Sequence, residues 1–135
     1  MREILFRGKS NWDDGKVKKG DWLYSMTISR HCYNDEEISS YYIGNGNKTI
    51  DGKTLGQYTG LTDKNGTKIF EGDILEFSDR FVVVFWHTHL GCWDSNFLKF
   101  TNKENSRDDM SPLNWDNKSK VIGNIHDNPE LLGGD

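Results

Sequence analysis

The sequence predicts a mainly β protein: small antiparallel sheets, an SH3-like, partly open barrel in the C-terminal part, and little helix. Three observations predict it. Gly, Asp and Asn supply 40 of the 135 residues and alanine is absent, so turn formers dominate and the best helix former is missing. Aromatics make up 13% of the chain against 34% hydrophobic residues overall, so rings rather than aliphatic side chains must fill the core. The short apolar runs have a period of two or none at all, never 3.6. The same ring content separates the chain from disordered sequences. The length fits one domain, organised as an N-terminal β lobe over 1–53, the barrel over 54–127 and a tail over 128–135.

In chain order, Ile4-Leu5-Phe6 reads as a short strand and the Gly-, Lys-, Asp- and Asn-rich residues 8–20 as a loop or open hairpin. Residues 21–28 alternate, with Trp22, Tyr24, Met26 and Ile28 on one face of a half-buried strand. Asn34-Asp35-Glu36-Glu37 suits one helical turn, and Tyr41-Tyr42-Ile43 a strand ended by glycine and asparagine. Two glycine-containing turns over 44–53 mark the boundary between lobes. Leu55–Leu61 and Thr67–Phe70 flank Asn65-Gly66, a hairpin signal because both residues accept positive φ. Gly72-Asp73 makes a second corner before Ile74–Phe77. Phe81–Trp86 is β-branched or aromatic on both faces and reads as a central strand. Residues 101–120 read as a long loop carrying Trp115, residues 121–125 as the last strand, and Pro129 as the start of a single helical turn.

Charge and hydropathy exclude several classes. The net charge of −4 gives no bulk reason to bind nucleic acid or membrane. No apolar run approaches the roughly 18 residues of a membrane helix, and the N-terminal residues lack a signal-peptide core. A cytoplasmic location follows as an expectation, and with it reduced thiols at Cys32 and Cys92.

Four blocks carry a resemblance. They are Met1–Lys9, Gly56–Gly66, Ile69–Leu75 and the closing Val121–Leu132 (VIGNIHDNPELL). In this order and over almost the whole chain they resemble the YopX family. The resemblance implies a small protein encoded by bacteriophages or prophages, mostly β, with no catalytic residue to carry over. The blocks make sense as scaffolding: Gly56, Gly60, Gly66 and Gly72 suit turns, Asp63 can bond its own backbone, and Asp73 can accept N–H groups at a corner.

Chemistry-bearing patterns are few. His87-Thr88-His89 places two imidazoles on one strand face, and Asp94, His31 or His126 would have to supply a third metal ligand. No spaced set completes that site, so a metal-dependent enzyme ranks third, and no cofactor is expected. Cys92 and Cys32 lie outside any nucleophile motif and are expected to be small buried hydrophobes. Gly52-Lys53-Thr54 ends like a phosphate loop, but its first glycine is misplaced and no helix follows. Asp63-Lys64-Asn65-Gly66 has its glycine too early for a calcium loop.

Two binding surfaces remain. Trp86, Trp93 and Trp115 lie beside loops and strand ends, where an aromatic surface would serve self-association or docking to a host or phage protein. This non-catalytic interaction module is the primary expectation. The alternative is a small nucleic-acid-binding barrel using Trp12, Lys16, Lys18 and Lys19, from a first stretch of 20 residues that carries six basic and three acidic groups.

Overall fold

The computed structural model describes residues 3–32, 39–44, 48–101 and 110–132. Ten strands account for most of them: β1 (Phe6–Ser10), β2 (Trp22–Ser25), β3 (Ile28–Cys32), β4 (Ser39–Ile43), β5 (Lys48–Thr62), β6 (Lys68–Phe70), β7 (Asp73–Glu76), β8 (Arg80–His87), β9 (Cys92–Phe100) and β10 (Lys120–Asn124). One short helix, α1 (Trp115–Lys118), and 3₁₀ turns at Pro112–Asn114 and Pro129–Leu132 complete the secondary structure of the described residues. The fold is mainly β, in two small antiparallel sheets with no closed barrel. The chain forms two compact units, Met1–Tyr58 and Thr59–Asp135, whose boundary falls inside β5.

In the N-terminal unit the strand order is β2-β1-β5-β4-β3. Ile43 and Ile50 are buried on one face, and Tyr58 is buried nearer the end of β5. The sequence reads residues 8–20 as loop, yet Gly8, Lys9 and Ser10 continue β1, because β2 and β5 pair with them on both sides. The run 21–28 is not one strand. Ser25 Oγ accepts the Thr27 N–H at 3.2 Å and turns the chain, leaving Met26 exposed and Ile28 in the next strand.

Gly44 turns as expected, at φ +76°, and residues 45–47 lie outside those described, but the second turn expected over 44–53 and the one at Gly56 are corrected: β5 runs unbroken from Lys48, with Gly52 and Gly56 inside it. The β1–β5 register jumps between Arg7↔Gly56 and Lys9↔Asp51. The Thr54 hydroxyl spans this bulge, accepting the Lys9 N–H at 2.8 Å and donating to the Asp51 carbonyl at 2.6 Å. A Cβ on Gly52 would lie 2.5 Å from the Tyr41 ring, so this close approach explains the glycine.

In the C-terminal unit the order is β10-β7-β8-β9, and β6 pairs with β5. The Phe81–Trp86 run lies in interior strand β8, as its apolar faces predict. Ile69, Leu75, Phe77, Val82, Val84, Trp93 and Trp115 form one core cluster, with Leu61, Met110 and Val121 packed against it. Buried polar side chains hold the turns. Asp63 accepts N–H groups from Asn65 and Thr67 on Oδ1 (2.9 Å each) and from Val121 on Oδ2 (2.9 Å). The turn therefore closes with Gly66 at φ +82° and is tied to β10. Asp73 accepts the Phe70 N–H at 2.7 Å across the corner at Gly72. Asn124 Oδ1 accepts His126 and Asp127 N–H groups before the last 3₁₀ turn.

The sequence reading contains no strand over 92–100; β9 fills that gap. Asn34–Glu37 and the tail from 133 lie outside the described residues.

Candidate interaction surfaces

The β8–β9 hairpin sorts its aromatic residues between core and solvent. Trp86 and Trp93 face each other across the hairpin, rings 5.1 Å apart and edge to face. Trp93 turns into the core and is 8% exposed, whereas Trp86 is 41% exposed. Trp115 is fully buried, and its Nε1 donates to the Met110 carbonyl at 3.0 Å. Of the three tryptophans expected at an interface, only Trp86 offers surface. Trp93 and Trp115 are corrected to core residues, since they pack in one cluster with the aliphatic side chains Ile69, Leu75, Val82 and Val84.

Sequence reasoning missed the exposed rings of β9. Phe97 and Phe100 are 52% and 62% exposed, with centroids 4.7 Å apart. The β8–β9 register shifts between Phe81 and Val82, a bulge that brings these two phenylalanines together. Arg80 lies over Phe100 at 5.1 Å, its guanidinium held by a two-point hydrogen bond to buried Asp79, both distances 2.8 Å. Leu90 at the hairpin tip is 69% exposed. Among the described residues β9 pairs only with β8, so it is the edge strand of its sheet. The signal that would find this surface is the Phe-x-x-Phe spacing in a segment too polar for a core strand.

His87 and His89 lie together at the hairpin end, rings 6.2 Å apart. His87 Nδ1 accepts the Leu90 N–H at 3.2 Å. Asp94 Oδ1 accepts its neighbour's N–H, His31 packs edge-on to Tyr42 in the other unit, and His126 follows β10. Among the described residues no three His, Cys, Asp or Glu side chains gather into a metal-holding group. Cys92 pairs with His87 across the strands and is exposed, which corrects the expectation of a buried thiol. It sits at the hairpin end, past the last core residue. The side chain of Cys32 lies outside those described. Gly52-Lys53-Thr54 belongs to the β5 bulge, and Asp63 is committed to backbone N–H groups.

In the N-terminal unit Lys16, Lys18 and Lys19 are exposed on a loop shaped by carboxylates. Asp14 Oδ1 accepts the Lys16 and Val17 N–H groups at 2.9 and 2.7 Å, and these bonds hold its carboxyl below the usual carboxylate range. Trp12 is half-buried, and its backbone is held by the Ser10 hydroxyl. The ring that meets basic groups is Trp22: the Arg7 guanidinium lies 4.5 Å and the Lys9 ammonium 5.3 Å from its centroid. Alternation in two adjacent strands, Arg7/Lys9 and Trp22/Tyr24, is the sequence signal for that cluster.

Among the described residues no helix is long and apolar enough to cross a membrane. No curated protein matches the chain. The crystal structure of protein EF1440 from Enterococcus faecalis is similar at 23% identity and a TM-score of 0.50, over 98% of this chain and 100% of that one. That likeness concerns the fold alone. The family model described as YopX protein matches residues 5–133, nearly the whole chain, with the end of the first motif block and all of the other three, so the chain belongs to the YopX family.

Proposed function

We propose that this YopX-family chain is a non-catalytic interaction module, encoded by a phage or prophage and working in the cytoplasm of the bacterial host, that self-associates through β9. The observation that supports this reading is the row of exposed apolar side chains, Trp86, Leu90, Phe97 and Phe100, on a hairpin whose outer strand is the edge strand of its sheet. Asp94 and Lys99 of that strand lie on one face, opposite Phe85 and Phe81. A second copy running antiparallel brings each Asp94 toward the other copy's Lys99, so the edge is complementary to itself. The motif blocks fit the same reading: Asp63, Gly72, Asp73 and Asn124 shape turns and present no exposed reactive group.

Light scattering coupled to size exclusion tests it. At about 20 μM the native chain should elute at twice its mass, and Phe97→Lys with Phe100→Lys should return it to one. A native chain of single mass at that concentration overturns self-association. A dimer that persists in the double variant overturns β9 as its site.

A further inference from the structure

The N-terminal unit carries a second surface of different chemistry. Arg7 pairs with Tyr24 and Lys9 with Trp22 across β1 and β2, so these four side chains share one sheet face, on which Arg7 itself is buried. It is opposite the face that carries buried Ile50, which pairs with Ser10. Tyr24 is 54% exposed on it. Beside it lies a cleft of about 430 Å³ lined by Lys9, Ser10, Asn11, Lys19, Gly20 and Asp51, among others. Lys9 belongs to both: it lines the cleft and lies over the Trp22 ring.

The cleft walls are built. The Gly20 N–H donates to the Ser10 carbonyl at 2.8 Å and the Ser10 N–H to the Asp21 carbonyl at 2.9 Å, which folds the lysine loop back onto the end of β1. Charge favours an anion. The excess is local: the first 20 residues carry six basic side chains against three acidic ones, whereas residues 1–58 as a whole are near balance, nine against eight. Four of those carboxylates turn to backbone N–H groups: Asp13 to Gly15, Asp14 to Lys16 and Val17, Asp21 to Lys18, and Asp51 to Lys53. The lysines Lys16, Lys18 and Lys19 remain exposed.

We infer that this face binds single-stranded nucleic acid, with a phosphate between Lys9 and Lys19 and a base against the Trp22–Tyr24 side. Point cations spaced beside aromatic faces are what a flexible strand of alternating phosphates and bases requires, and a duplex would keep its bases from the rings. Lys16 and Lys18 extend the basic track along the loop. Trp12, half-buried, is not part of the site.

Anisotropy of fluorescein-labelled 12-mers of dT and of rU, titrated with the full chain, tests this. Binding of either at about 50 mM salt supports the inference, and the sugar that binds tighter identifies the source as DNA or RNA. With two phosphates engaged, affinity should fall about sevenfold by 200 mM salt. Lys19→Glu and Tyr24→Ala alter exposed side chains and should each weaken binding about fivefold or more, with unchanged circular dichroism. Failure of both oligomers to bind at about 100 μM protein overturns the inference, as does equal affinity for a 12-base-pair duplex. So does an affinity that both variants leave within about twofold of the native chain.

Discussion

Among the described residues the C-terminal unit buries nine hydrophobic side chains and the N-terminal unit three. The C-terminal unit stacks them into one cluster closed by two tryptophans, and it turns acidic and amide side chains inward to hold corners. The N-terminal unit relies on a sheet in which β1, β5 and β4 are each paired on both sides, and on a hydroxyl that spans a bulge. Tyr58 is buried there, but Trp22 serves differently, lying beside Arg7 and Lys9 instead of closing a core. The contrast teaches that rings in so polar a chain take two roles, and that the partner goes with the role: rings among aliphatic neighbours close the core, while the ring that meets cations on a shared face stays half-buried.

The strongest way to break that contrast is Trp115→Ala. The ring is wholly buried, so its loss should cost about 4 kcal/mol in urea unfolding followed by circular dichroism. A loss below about 1 kcal/mol would show that the C-terminal unit does not depend on its tryptophans. Asp63→Ala comes next. It deprives three backbone N–H groups of a charged acceptor and should cost about 3 kcal/mol, part of which Asp63→Asn recovers in the same assay.

In the N-terminal unit Gly52→Ala drives a methyl group into the Tyr41 ring and should cost about 2 kcal/mol in thermal unfolding. Tyr41→Leu in the same chain should return most of that loss, because the pair shares one contact.

The smallest effect is local and depends on pH. Because its two N–H bonds lower the Asp14 carboxyl below the ordinary value, they stabilise the loop fully above that ordinary value. The stabilisation is lost as pH falls through the lowered one. The amide NMR signals of Lys16 and Val17 should hold down to the ordinary carboxylate range and shift only below it.

How much of this was legible in the sequence follows the same division. Corners written in local chemistry were readable: Asn65-Gly66 and Gly72-Asp73 turn where they should, and Phe81–Trp86 is an interior strand. Strands made by pairing were not. The first half of β5 contains Asp51-Gly52, a turn by local preference, but β1 and β4 pair on either side and override it. β9 is an edge strand with a bulge, so polar residues and a broken alternation hide it. On the surface side, the lysines of the 16–19 loop were visible as a charge cluster. Their ring partner was not, since Trp12 is nearer in sequence while Trp22 is brought beside Arg7 and Lys9 by the β1–β2 register. Burial of Trp115 depends on one helical turn inside a stretch that reads as loop.

The Asp63 carboxylate also bears on the order of events during synthesis. Two of its three donors lie within four positions, but the third, Val121, is 58 residues further on. On the ribosome the hairpin can therefore form early, while the acceptor waits for a donor that emerges much later. A ribosome stalled shortly before that donor emerges should hold a nascent chain with the first turn made and the final strand unseated, a state that proteases and chaperones would recognise.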